Sequence, residues 1–254
     1  MPYKGWHAKM TASVGSGVFF DAYNTQIMTV VLMALASTPV WKDQLADPVL
    51  YGLLGGAAFL GMIIGALGGG QLADKLGRVK TFSILIAIYS VAIGLARFAP
   101  DITWLIVLRV LSGIGLGGLV PVALSFVAEF LPAKVRGSSL GIINMLFGIG
   151  GAFAFFMGWA LVFNPPTFSI GWKVSFFIGA IPLILAIVAW FTFPESVRWQ
   201  VEKGHYEAAA KEVEKLELRF TGQVSVPLEE AIAMEKEQAA ARVEAPKPPP
   251  PVPI

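Results

Sequence analysis

The sequence predicts an all-α integral membrane protein of six transmembrane helices. Three observations lead to that class. Hydrophobic residues make up 56% of the 254 and charged residues only 14%, against about 25% charged in an ordinary soluble domain. Six stretches are apolar over the roughly 20 residues that a helix needs to cross about 30 Å of hydrocarbon. Their apolar residues run continuously and do not alternate, so barrel strands are excluded. A helix also bonds its own backbone groups where lipid offers no partner.

The spans fall at 13–36, 50–72, 81–98, 102–130, 138–163 and 172–193. Turn chemistry separates them: Thr38-Pro39, Asp47-Pro48, Asp74 to Gly77, Ala99-Pro100, Pro132 and Asn164-Pro165-Pro166. No short apolar stretch with a small-residue cleavage site opens the chain, so the first span reads as a retained helix. Lysine and arginine in the short loops set the orientation. Lys4, Lys9, Lys75, Arg78, Lys80, Lys134 and Arg136 lie on one side, and Lys42, Arg97 and Lys173 on the other. The positive-inside rule therefore predicts a cytoplasmic N-terminus, and an even number of spans returns the C-terminus to the cytoplasm.

The expected organisation is a cytoplasmic N-terminus at 1–12, the six-helix bundle at 13–193, a cytoplasmic charged helical tail at 194–245 and a proline-rich end at 246–254. Within the tail, residues 204–242 read as two short charged helices, with Pro227 opening the second. The ending APKPPPPVPI reads as an extended, solvated polyproline segment, with a docking peptide as the competing reading.

Composition also excludes several functions. The chain has no cysteine, so neither a disulfide framework nor a thiolate metal site is available. A net charge of +2 does not call for a nucleic-acid partner. His7 and His205 fall outside the expected spans, and no phosphate-cradling loop stands between a strand and a helix. The expectation is a non-enzyme without cofactor or metal, in the cell (inner or plasma) membrane. Glycines crowd two spans: Gly65, Gly68, Gly69 and Gly70 in the second, Gly113, Gly115, Gly117 and Gly118 in the fourth. Small residues at such spacings let helix backbones approach closely in lipid.

Five motifs carry more. Gly70-Gln71-Leu72-Ala73-Asp74-Lys75-Leu76-Gly77-Arg78-Val79-Lys80 joins spans two and three. There Gly77 allows a tight turn, and Asp74 is placed to cap a helix or to pair with Arg78. Arg109-Val110-Leu111-Ser112-Gly113-Ile114-Gly115-Leu116-Gly117-Gly118 sits inside span four, where an arginine must face protein or water. Glu129-x-x-Pro132-x-x-x-Arg136-Gly137 leaves span four, and Pro194-Glu195-Ser196-Val197-Arg198-Trp199 follows span six. Phe19-Phe20-Asp21-Ala22-Tyr23-Asn24 holds the only carboxylate deep within a span.

The first of these resembles the G-x-L-a-D-r-x-G-R-k signature of the major facilitator superfamily, and the second resembles that family's R-x-x-x-G-x-G-x-G pattern. The third and fourth resemble signatures of sugar porters and related metabolite symporters. Gly204-His205-Tyr206-Glu207-Ala208-Ala209 looks like the start of the intracellular linker that follows span six there. The Asp21 segment is similar to the D-[AG]-Y-D stretch of phosphate and aromatic-acid proton symporters, with Asn24 in place of the second aspartate.

The resemblance implies one half of a major facilitator fold and secondary active transport of a small polar metabolite, organic anion or sugar. It implies a cytoplasmic gate built from Asp74, Arg78, Glu129, Arg136, Glu195 and Arg198. Asp21, Asn24 and Arg109 become the candidates for proton coupling and the substrate cavity, because a carboxylate withdrawn from water can carry a proton. A structural aspartate, bonded to helix ends or to Arg109, is the competing reading. From the rise per residue, Asp21 and Arg109 differ in height by about 8 Å, near the reach of an arginine arm. Tyr23, Phe126, Phe147 and Trp159 are candidate cavity aromatics, with plain packing as the alternative. Two departures bear on the analogy: Leu119 and Val120-Pro121 stand where many proton-coupled relatives carry an acid, and span five lacks the Gly-Pro pair of drug antiporters.

The expected partners are the lipid bilayer, a small-molecule substrate with protons, and a second six-helix bundle from a homodimer mate or a separate chain. The alternative is a non-transporting subunit of a larger membrane complex, or a truncated remnant of a transporter.

Overall fold

A computed structural model of the chain describes residues 5–36, 38–163, 168–220, 230 and 232–234. The expectations on Lys4, on Asn164-Pro165-Pro166, on Pro227 and on the proline-rich end concern residues outside that set. The chain divides into two compact units, Met1–Phe193 and Pro194–Ile254.

The first unit holds helices α1 (Gly5–Ala36), α2 (Pro39–Leu45), α3 (Pro48–Leu76), α4 (Arg78–Ala96), α5 (Ile102–Phe130), α6 (Ala133–Met157), α7 (Phe168–Gly179) and α8 (Pro182–Thr192). A π-helical turn, Gly158–Val162, continues α6. Among the described residues six helical runs are long and apolar enough to cross a membrane, and they match the six expected spans. The ends differ. Span one begins at Gly5 and not near 13, which brings His7, fully buried, into the first turn of the helix. Hydropathy measures the part of a helix that suits lipid, whereas the helix itself runs on until a cap or a breaker stops it.

Those stops are visible. Pro48 occupies the first position of α3 while the Asp47 carboxylate accepts the Val49 N–H at 2.8 Å. The Asp101 carboxylate accepts the Trp104 N–H at 2.9 Å to open α5. Between α3 and α4 the whole turn is Gly77, at φ 103°, a conformation that side-chain-bearing residues rarely adopt. The expected break at Thr38-Pro39 is followed by the short α2.

Helices α3 and α5 pack through their glycines. A Cβ added at Gly61 or Gly65 would collide with the backbone of Val110 or Ile114, and one at Gly113 or Gly117 with the backbone of Ala58 or Met62. The spacing of four on each helix is the small-residue pattern that draws helices together in lipid. Gly115 instead receives Leu85 and Tyr89 of α4, and Gly68 and Gly70 face open space. The two glycine-rich spans do meet, but not through every glycine.

Helix α1 runs through two apolar cores. Met10, Val14, Phe82, Leu116 and Phe126 belong to the one nearer Gly77, and Tyr23, Ile27, Leu35, Leu105 and Phe176 to the other. Tyr23 and Phe126 are thus packing residues, while Phe147 and Trp159 are exposed.

The second unit contains α9 (Val197–Glu202) and α10 (Tyr206–Phe220). Ser196 caps α9 by accepting the Trp199 N–H at 3.2 Å, and Gly204 takes a positive φ of 76° between the helices. The Trp199 and His205 rings lie 6.0 Å apart.

Candidate functional site

The middle of the bundle holds a polar cluster where apolar residues would be expected. Asp21, Asn24, Arg109 and Ser112 are all buried. Arg109 extends from α5 to α1, where its Nη1 donates to the Asn24 carbonyl at 3.1 Å. That bond places the guanidinium one helical turn beyond Asp21, and among the described residues no ion pair joins the two. Among the described residues Arg109 thus serves the α1 backbone at Asn24 and forms no ion pair with the Asp21 carboxylate. No hydrogen bond reaches the Asp21 carboxylate from the described residues, although Tyr89 of α4 lies close enough to interact with it electrostatically.

Asn24 has a structural duty. Its Nδ2 donates to the Gly179 carbonyl at 3.0 Å. That carbonyl is available because span six is broken between α7 and α8. Pro182 has no N–H to give, and the chain tightens into three-residue turns: Ile181 N–H donates to Ile178 and Leu183 N–H to Ala180. One residue before Asn24, the Tyr23 hydroxyl donates to the Ser175 carbonyl, one turn before Gly179, at 2.9 Å. The polar face of α1 thereby holds α7 at two points. An aspartate at 24, as in the similar D-[AG]-Y-D stretch, would carry no N–H to donate to Gly179 when ionised. Replacing Asn24 with alanine should cost about 1–3 kcal/mol, because it leaves a buried carbonyl unbonded. Thermal unfolding in mild detergent measures this.

Reading the sequence as one continuous span at 172–193 missed this break. Pro182, well inside an apolar run, was the available signal.

At the end of the bundle where Gly77 lies, Arg78 gathers two carboxylates. Its Nη1 meets Asp74 Oδ1 at 2.9 Å across the Gly77 turn, and its Nε lies 3.6 Å from Glu129 Oε1 of α5. Glu129 Oε2 is buried without a hydrogen bond among the described residues. Arg136 donates from Nη2 to the Leu131 carbonyl at 3.2 Å and so closes the turn around Pro132. In the second unit, Glu195 accepts the Ser196 N–H at 3.0 Å and Arg198 pairs with Glu202 at 3.0 Å. Three of the six expected gate residues thus share one ion cluster, and the other three make these local contacts.

Comparison with known proteins agrees with this architecture. The family model described as "Sugar (and other) transporter" matches residues 8–245. The niacin transporter NiaP of Acinetobacter baylyi is 34% identical over 217 residues, which is 85% of this chain and 47% of that protein. The benzoate transport protein of the same organism is 34% identical over 191 residues, 73% of this chain and 39% of that protein. The chain spans about half the length of these relatives or less. Among solved structures, the partially occluded inward-open xylose transporter XylE from E. coli superposes with a TM-score of 0.73 at 21% identity, over 94% of this chain and 60% of that one. That likeness concerns the fold. The chain is an integral membrane protein that belongs to the sugar (and other) transporter family, and its six membrane helices have the fold of one half of a major facilitator protein.

Proposed function

We propose that this chain forms half of a proton-coupled secondary transporter for a small organic anion, and that it works by alternating access against a second six-helix bundle. The observation that carries the reading is Asp21: a buried carboxylate, mid-span, with no hydrogen-bond or ion-pair partner among the described residues. A structural aspartate would be held by donors, as buried charges ordinarily are. An unheld one is free to exchange a proton as access switches.

An anionic substrate is favoured over a sugar by the two curated relatives, since niacin and benzoate are both aromatic monocarboxylates. The second bundle is supported by uneven coverage. In α1, α4 and α5 more than half of the span is buried, against 28% of α3 and 17% of α6. Both exposed faces carry bare glycines with nothing near, Gly52, Gly68 and Gly70 on α3 and Gly137, Gly141 and Gly148 on α6. These are shallow notches suited to another helix, from a second copy or from a separate chain.

The end bearing Arg78 is cytoplasmic in this reading, by the positive-inside rule. There Asp74, Arg78 and Glu129 latch α3, α4 and α5 together as part of the inner gate, for which Arg136, Glu195 and Arg198 are the remaining candidate residues. Replacing Arg78 with alanine leaves Glu129 partly buried and unpaired. Transport should fall about tenfold or more, at unchanged membrane abundance.

The direct test is uptake of labelled nicotinate, benzoate and xylose by proteoliposomes holding the full chain, with and without an inward proton gradient. Gradient-driven uptake of the two carboxylates is expected. Oriented, folded protein that moves none of the three sinks the proposal, and uptake of xylose alone replaces the substrate class.

A further inference from the structure

Among the described residues two tyrosines are fully buried, Tyr23 of α1 and Tyr89 of α4. A buried tyrosine hydroxyl usually finds a partner. That of Tyr23 does, at the Ser175 carbonyl. The Tyr89 hydroxyl has only Ser90 beside it, and neither oxygen makes a well-formed hydrogen bond to the described residues. For packing alone a phenylalanine would serve better, because it has no hydroxyl to strip of water.

Packing contacts fix the level at which these hydroxyls lie. A Cβ added at Gly17 of α1 would stand 3.5 Å from both Phe82 and Ile86 of α4. Farther along, a Cβ at Gly179 would touch both the Asn24 amide and Ile93. Helices α1 and α4 therefore run side by side in one direction, with Gly17 beside Ile86 and Asn24 beside Ile93. Asp21 is one turn after Gly17 on the same face, and Tyr89 and Ser90 are one turn after Ile86. The carboxyl and the two hydroxyls thus share a level. The other unsatisfied hydroxyls of these helices, Thr11, Thr81 and Ser83, lie well toward the Gly77 end. Gly115 of α5 admits this arrangement, since a Cβ there would come within 2.9 Å of the Tyr89 Cβ and push α4 away.

We propose that Tyr89 is a positioning residue for the proton carrier: its hydroxyl, backed by Ser90, donates to the Asp21 carboxylate once the proton has left, directly or through one bridging water. The inference rests on the proton-carrying reading of Asp21. One proton moves, from the Asp21 carboxyl to water on the open side of the membrane, and Tyr89 keeps its own. A bare carboxylate in the core is costly, and a donor held ready beside it offsets that cost without any shift of the helices. Ser90 donates in turn to the Tyr89 oxygen, which makes the tyrosine a stronger donor. The other titratable groups of this region are Arg109 of α5, engaged at the Asn24 carbonyl, and Tyr23, engaged at Ser175. Spans two, five and six carry theirs only toward their ends.

Infrared titration of the full chain in liposomes tests the proposal, read on the carboxyl band that Asp21→Asn removes. Tyr89→Phe should move the midpoint of that band about one unit to higher pH, the scale of one hydrogen bond to a charged acceptor. The sign follows because losing a donor penalises the carboxylate and favours the acid. Ser90→Ala should move it the same way by less, and it decides the matter should Tyr89→Phe misfold. Both variants should melt near the wild-type temperature, whereas a merely structural role would lower the melting point and leave the midpoint in place. A midpoint unmoved in folded Tyr89→Phe and Ser90→Ala overturns the inference while leaving Asp21 as the carrier. So does a midpoint that responds to Arg109→Gln but not to Tyr89→Phe, which assigns the donor to Arg109. A wild-type chain with no titrating Asp21 band sinks the proton-carrier reading itself, and this inference with it.

Discussion

Replacing Asp21 with asparagine is expected to abolish proton-driven accumulation of substrate, lowering it on the order of 100-fold or more, the scale of losing a proton-transfer group. The side chain keeps its size, so packing in the α1 core is preserved, and it has no hydrogen bond to the described residues to lose. Stability should therefore hold or rise slightly, since asparagine carries no charge to bury. Exchange of labelled for unlabelled substrate across the membrane, which needs no net proton movement, should survive. The measurement is paired: gradient-driven uptake and substrate exchange in the same proteoliposomes. If both survive, Asp21 is no proton carrier. If both vanish with the fold intact, Asp21 belongs to substrate binding.

The second large effect concerns the α3–α5 seam. Gly113→Val should destabilise the bundle by about 3 kcal/mol or more, because the new side chain meets the Ala58 carbonyl, a backbone atom that cannot swing aside. In lipid this contact has no hydrophobic driving force to replace it, so close approach is what holds the two spans. Gly68→Ala, seven residues beyond Gly61 on the same helix, provides the contrast. Nothing lies within 4 Å of it, and alanine is the better helix former by about 1 kcal/mol. Unfolding of the isolated chain should be unaffected or slightly harder. Should Gly68→Ala nevertheless impair transport, its open face is one that the second bundle uses. Equal stability loss in both variants would falsify the seam as described.

Much of the fold was legible before any coordinates. A span is a local property, about twenty apolar residues in a row, and the stops at Pro48, Pro100 and Pro132 are local as well. The motif around Gly77 also reads directly, since a turn of one residue at positive φ admits little besides glycine. The pairing of Arg78 with Asp74 lies within reach of sequence reasoning, because the two are four residues apart across that turn.

Long-range choices were not legible. Composition could not tell that Gly61, Gly65 and Gly113 meet backbone while Gly68 and Gly70 face outward; that depends on how two helices rotate against each other. Nor could it assign Arg109 to the Asn24 carbonyl rather than to Asp21. The difference is one helical turn of α1, and it is decided by where α5 crosses. Asn24 shows the same limit. As a sequence it is a departure from a familiar pattern, and only the break at Pro182 reveals a carbonyl that needs its N–H. The sequence by itself determined that the chain lies in a membrane, how many times it crosses and where it turns, because those follow from each segment's own contact with lipid. The tertiary structure alone decided which polar groups are satisfied and which, like Asp21, find no partner among the described residues, because that depends on residues far apart in the chain arriving at the same depth.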